Sequence, residues 1–145
     1  MNQLFPKYRQ AVLTSSTGDW LTTTIKAAAL TQVMPDTEIN LATHEFVSDL
    51  PQANLLPVRS AALANKSISI YGVAGSNSIE FDNLVSGSNK VRAIVLYEEL
   101  GADTVNKLIA YMDVGVGIPF TAVGGITTIA PDTPWGGGFA GFLRV

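Results

Sequence analysis

The chain has 145 residues, no cysteine, 47% apolar and only 14% charged residues, and a formal net charge of −3. That length corresponds to one domain, 1–145, able to bury a core without covalent staples. Missing cysteines exclude a disulfide framework and a thiolate metal site, the singly scattered basic residues give no stripe for nucleic acid, and no apolar run approaches the roughly 20 residues of a membrane-spanning helix.

Low charge with a positive mean hydropathy predicts either a surface partly covered by partners or a small β-domain with a Ser/Thr/Asn surface. The opening MNQLFPKYRQAVL has no positive segment followed by a long apolar run. It does not read as a secretory signal, and synthesis in a cytosol is expected.

Gln3 to Leu13 predicts the one helix, with Pro6 in a first turn where its missing N–H costs nothing. Leu4, Phe5, Tyr8 and Val12 fall near helical spacing, for packing on a sheet or docking on a neighbouring subunit. Ser15 to Asp19 is turn chemistry. Trp20 opens a strand running to Leu30, with Lys26 pointing opposite to Ile25. Its Ala27-Ala28-Ala29 run favours helix intrinsically but follows no helix start.

Thr31 to Pro57 is irregular, with Pro35, Pro51 and Pro57. Inside it, Asn40 to Leu50 (NLATHEFVSDL) predicts one helical turn capped by Thr43, with Phe46, Val47 and Leu50 facing inward. Long loops in compact domains are often functional, so this segment is a candidate for intermolecular contact.

Val58 to Ala64 begins another strand, and Lys66 to Tyr71 alternates with period two. Gly72 to Asn77 is a turn. Ser78 to Asp82 alternates again, with Ile79 and Phe81 inward. Asn83 to Asn89 turns into the segment around which the chain is organised, Val91 to Val114. Val91 to Glu98 is apolar on both faces, as for a central strand. A polar loop with Gly101, Asp103 and Asn106 leads to a second strand, where Leu108, Ala110 and Met112 share one face. Ile126 to Ala130 and Phe139 to Val145 are the closing strands, with turns at Gly124-Gly125 and around Pro131 to Gly138. The fold expected is mainly β: an antiparallel β-sandwich or flattened barrel of seven or eight short strands with one short N-terminal helix at about 3–13.

Few residues carry chemistry. His44, the single histidine, has Glu45 and Asp49 nearby, but no Gly-x-Ser-x-Gly elbow exists; a lone histidine in a polar loop is ordinarily a solvated side chain. Glu80 and Asp82 share a strand face and Glu98 adjoins Glu99, without calcium-loop or zinc spacing. The glycine clusters lack the ending of a phosphate loop. No catalytic, cofactor or metal residue is assigned, and the chain is expected not to be an enzyme. Trp135, in Pro-Trp-Gly-Gly-Gly before Phe139 and Phe142, either covers an open end of the fold or contacts a partner. The candidate partner contacts are Leu4, Phe5, His44, Phe46 and Trp135.

Three runs, YRQAVLTSSTGDWLTTTIKAAAL (Tyr8 to Leu30), INLATHEFVSDLPQA (Ile39 to Ala53) and VRAIVLYEELGADTVNKLIAYMDVGVGIPFT (Val91 to Thr121), together resemble a family of small tailed-bacteriophage virion proteins. That family shares a short N-terminal helix, a Trp before a Thr-Ile-Lys strand, a Thr-His-(Glu/Asp)-Phe loop and a central strand paired with Leu-Ile-Ala-Tyr-(Ile/Met)-Asp. This chain departs from it in having Gly124-Gly-Ile-Thr-Thr-Ile-Ala and Trp135-Gly-Gly-Gly where relatives carry Gly-Gly-Asp-Ile-Thr-Val and Trp-Asp-Asn-Gly. The resemblance implies a structural protein of the virion, made in the host cytoplasm. The role expected is a capsid decoration or cement protein that bridges shell subunits. Its partners would be the major capsid protein or other virion proteins, and a homo-oligomer, a trimer by symmetry, is expected. The alternative is a tail, baseplate or tail-fibre component contacting the host surface, with Trp135 on a glycan.

Overall fold

Ala93–Glu98 is buried at every residue and occupies the middle of the largest sheet. The structure is a computed structural model that describes residues 3–13, 19–31, 40, 42–68, 73–113, 117–130 and 143–144. In chain order these form β1 (Gln3–Leu4), α1 (Pro6–Leu13), β2 (Ile25–Leu30), a 3-10 turn (Val47–Asp49), β3 (Leu55–Arg59), β4 (Ser67–Ile68), β5 (Val73–Gly75), β6 (Ile79–Asp82), β7 (Ala93–Glu98), β8 (Lys107–Met112), β9 (Ile126–Ile129) and β10 (Leu143–Arg144). They make three antiparallel sheets, ordered β1-β8-β7-β2-β3, β10-β5-β4 and β6-β9. The mainly β, antiparallel expectation holds. The described strands form three separate sheets and not a closed barrel.

Side chains alternate across the central sheet, so its two faces feed two cores. Ile25, Ala27 and Ala29 of β2 and Ile94 and Leu96 of β7 face one, where Ile79 and Phe81 of β6, Ile129 of β9, and Leu84 cover them. Ala28, Leu30, Ala93, Val95 and Tyr97 face the other, under Phe5, Val47 and Leu50. The alanine run is strand because of what it faces. Ala27, Ala28 and Ala29 pair with Leu96, Val95 and Ile94. Small residues opposite large ones let the layers close, and that packing overrides the helix propensity of alanine.

In β8 the expected face assignment fails. The pairing runs Leu96 to Ala110 and then Tyr97 to Leu108, which leaves Ile109 as an extra residue. A bulge shifts the alternation by one. Leu108 therefore joins Tyr111 on one face, whereas Ala110 and Met112 lie with Ile109 on the other.

Other boundaries moved for local reasons. Gln3 and Leu4 are strand, paired with Tyr111 and Ala110, and the helix starts only at Pro6. Trp20 to Thr23 is a turn that Asp19 holds by accepting the Leu21 and Thr22 N–H groups at 2.8 Å; Trp20 is buried and donates Nε1–H to the Gly75 carbonyl at 3.2 Å. Pro57 lies within β3, permitted because β3 is an edge strand. Ser60 to Ala64 is not strand, and Val73–Gly75, expected as turn, is. The 3-10 turn is entered from Phe46, not capped by Thr43.

Leu96→Ala should lower the unfolding free energy by about 2–5 kcal/mol, because it empties space on the central strand, which is packed from both sides. Urea denaturation followed by tryptophan fluorescence measures the loss; a change below about 1 kcal/mol would contradict this packing.

Candidate contact surface

Strands β6 and β9 pair in the register Ile79–Ile129, Glu80–Thr128, Phe81–Thr127 and Asp82–Ile126. Ile79, Phe81 and Ile129 point into the core, so Glu80, Asp82, Ile126 and Thr128 face solvent. The ribbon continues beyond the strands. Asn83 N–H donates to the Gly125 carbonyl, Gly124 N–H to Leu84 and Ser86 N–H to Ala122, at 2.8, 2.8 and 3.0 Å. Asn83, Gly124 and Gly125 have φ of +58°, +92° and +69°, a left-handed set that turns the ribbon. Leu84 and Ala122 are buried, which leaves the paired Val85 and Val123 outside. Val123 is 84% exposed, Ile126 74% and Val85 54%. Three β-branched apolar residues thus share the solvent side of one ribbon.

A groove runs beside β6. Residues 60–64 lie between β2 and β6: Ser60 and Leu63 N–H groups donate to Ala27 and Ile25, while Ala61 N–H donates to Glu80 and Asn77 N–H to Ala64. Ser60 is buried and satisfied, its Oγ accepting from Ala27 N–H and donating to the Ala61 carbonyl, both at 2.7 Å. Along the outside of this join, a depression of about 520 Å³ is walled by Ala61, Ala62, Ala64 and Ser78. It meets a second, of about 320 Å³, at Ala61 and Glu80, and that one reaches Asp82 and Ile126. Arg59 borders the second depression, but its guanidinium is paired with Asp103 at 2.9 Å. Glu80 and Asp82 make no ion pair among the described residues.

The residues singled out from sequence lie elsewhere. Leu4 and Phe5 are buried, at 6% and 0% exposure, and Phe5 N–H donates to the Ile109 carbonyl. They are core residues and are corrected as contact candidates, because the monomer already consumes their apolar surface. His44 and Phe46 are half-buried in the 42–50 segment. His44 Nδ1 accepts from Asn40 N–H at 3.4 Å, and Phe46 bridges Lys107. This segment docks on the β7–β8 loop: Val47 N–H donates to the carbonyl of buried Asn106, Ser48 N–H to Asp103, and Leu108 N–H to Glu45. It is held down within the monomer. Trp135 lies outside the described residues.

No three His, Asp or Glu side chains converge as metal ligands among the described residues, and no described helix is long and apolar enough to cross a membrane. Tyr97 is raised beyond the ordinary tyrosine range by burial and by Glu99. It stays neutral and donates its hydroxyl to Glu99 at 3.3 Å.

Val85 falls in the expected Asn83–Asn89 turn, Ile126 opens an expected strand and Val123 precedes the Gly124-Gly125 turn, so period-two patterning marks none of the three as an exposed contact residue. The available signal was apolar residues flanking Gly124-Gly125 and inside NLVSGSN. Turns lie at the surface, so an apolar residue there is exposed unless something covers it.

No protein-family model matches the chain, and no curated protein matches it.

The Asp49 carboxylate provides a pH test. Burial opposes its ionisation, but accepting Phe46 and Glu45 N–H groups, both at 2.9 Å, and facing His44 hold its pKa below the usual range. A depressed folded-state pKa contributes stability above the unfolded value, near 4, that is lost as pH falls through the folded one. Wild type should therefore lose more stability than Asp49→Ala between pH 5 and about pH 3; parallel thermal melts over that range would refute the role by matching.

Proposed function

We propose that this chain is a non-enzymatic structural protein of a tailed-phage virion, and that it serves as a capsid decoration or cement protein. Its motif runs resemble small virion proteins of tailed phages. The observation that carries the reading is the exposed apolar ribbon of Val85, Val123 and Ile126. Exposed apolar residues such as these contribute nothing to the monomer's core, and burial against a neighbour is where they gain free energy.

The work of such a protein is mechanical. A shell is held by many weak contacts between identical subunits. A small domain that bridges two of them lowers the free energy of the closed lattice, with about 800 Å² per partner sufficient for specific docking. Repetition around the lattice adds avidity without new contacts. The major capsid protein is the partner this role requires, and self-association into a trimer would match a threefold lattice position.

Purified protein added to undecorated phage shells should bind at a copy number set by shell symmetry and raise the temperature of shell disruption. Val123→Thr with Ile126→Thr should keep stability within about 0.5 kcal/mol per site and weaken shell binding about tenfold. Labelling confined to a few copies at the tail would replace this reading with a tail or baseplate role.

A further inference from the structure

We propose that the groove along β6 receives an extended, cationic segment of a protein partner, which runs past Glu80 and Asp82 and ends on the Ile126–Val123 apolar ribbon. This deepens the docking reading above by naming the partner's chemistry, and rests on it only for the existence of a protein partner.

Shape is the first argument. The two depressions join end to end at Ala61 and Glu80 and follow the strand direction, so they form an open trough and not a closed pocket. Alanine and serine make up most of the wall of the first depression, with Asn77 and Glu80, and these short side chains leave room for a peptide backbone. From Ser78 to Asp82 a strand advances about 13 Å, at roughly 3.3 Å per residue, which is room for four or five extended residues.

Charge is the second. Glu80 and Asp82 are two positions apart on one strand, so their carboxylates share the solvent face about 7 Å apart. An extended ligand repeats its own side chains at the same interval, so alternate lysines or arginines meet successive carboxylates. Among the described residues Arg59 is the cation that lines the trough, and Asp103 already occupies it. The local field therefore favours a basic segment and disfavours an acidic one or a phosphate backbone. The third argument is continuity. Ile126 lines the trough with Asp82 and leads to Val123 on the same ribbon, so the segment's next residues would be apolar.

The probe is a short amidated peptide, Lys-Ala-Lys-Ala-Val-Val, titrated into the full chain labelled with ¹⁵N, beside its Glu-for-Lys counterpart. Shifts at Ala61, Ala62, Glu80 and Ile126, weakened by added salt and reduced about tenfold in affinity by Glu80→Gln with Asp82→Asn, are the expected result. Equal binding of the acidic peptide, unchanged binding by the variant, shifts confined to other surfaces, or no shift at millimolar peptide would overturn the proposal. Both substitutions are at exposed positions, and a thermal melt confirms that the variant is folded. Shell binding that survives this variant sinks the trough alone. Absence of shell binding with intact peptide binding sinks only the virion role.

Discussion

Burial of β7 on both faces is the constraint from which the rest of this structure follows. Ile94 and Leu96 enter one core, and Val95 and Tyr97 the other. A strand with two apolar faces needs a lid on each side and a neighbour on each edge. β2 and β8 supply the edges. The β6–β9 ribbon and the turns following it close one face; Phe5 and the Val47–Leu50 segment close the other. The Val47–Leu50 segment is therefore a lid on the second core and a poor place for a free binding loop.

Polar groups then hold the lids in place. Asn106, 2% exposed, accepts Leu100 N–H on its side chain at 2.6 Å and Val47 N–H on its carbonyl at 3.0 Å. One buried asparagine thus ties the β7–β8 loop to the 3-10 turn. Ser86 plays a similar part on the opposite face, its Oγ accepting Ala122 N–H at 3.0 Å. Each satisfies a backbone group that would otherwise be stranded where strand pairing ends.

What the two lids leave outside is where contact can occur. On the Phe5 side Phe5, Val47 and Leu50 are spent within the monomer. On the ribbon side Val85, Val123 and Ile126 remain in water, next to carboxylates that no described cation neutralises. An apolar patch bordered by unpaired charge is the usual composition of a recognition surface, because the apolar part supplies free energy and the charge supplies discrimination.

The sequence by itself determined the mainly β character, the antiparallel class, the central position of the strand ending at Glu98 and the inward set Ile79 and Phe81, since these depend on period-two patterning and turn residues a few positions apart. It also placed Pro6 in the first helical turn. Only the tertiary structure decided that Leu4 and Phe5 are core, that Ile109 is a bulge reversing the faces of β8, that Val73–Gly75 is strand, and that an apolar ribbon and an acidic trough lie side by side. Each of these depends on a partner far along the chain: Ile109 for Phe5, Leu96 and Tyr97 for the bulge, Leu143 and Arg144 for Val73–Gly75, Ala61 for Glu80. Local patterning reports what a residue prefers, but which surface remains in water is settled only when distant segments compete to cover it.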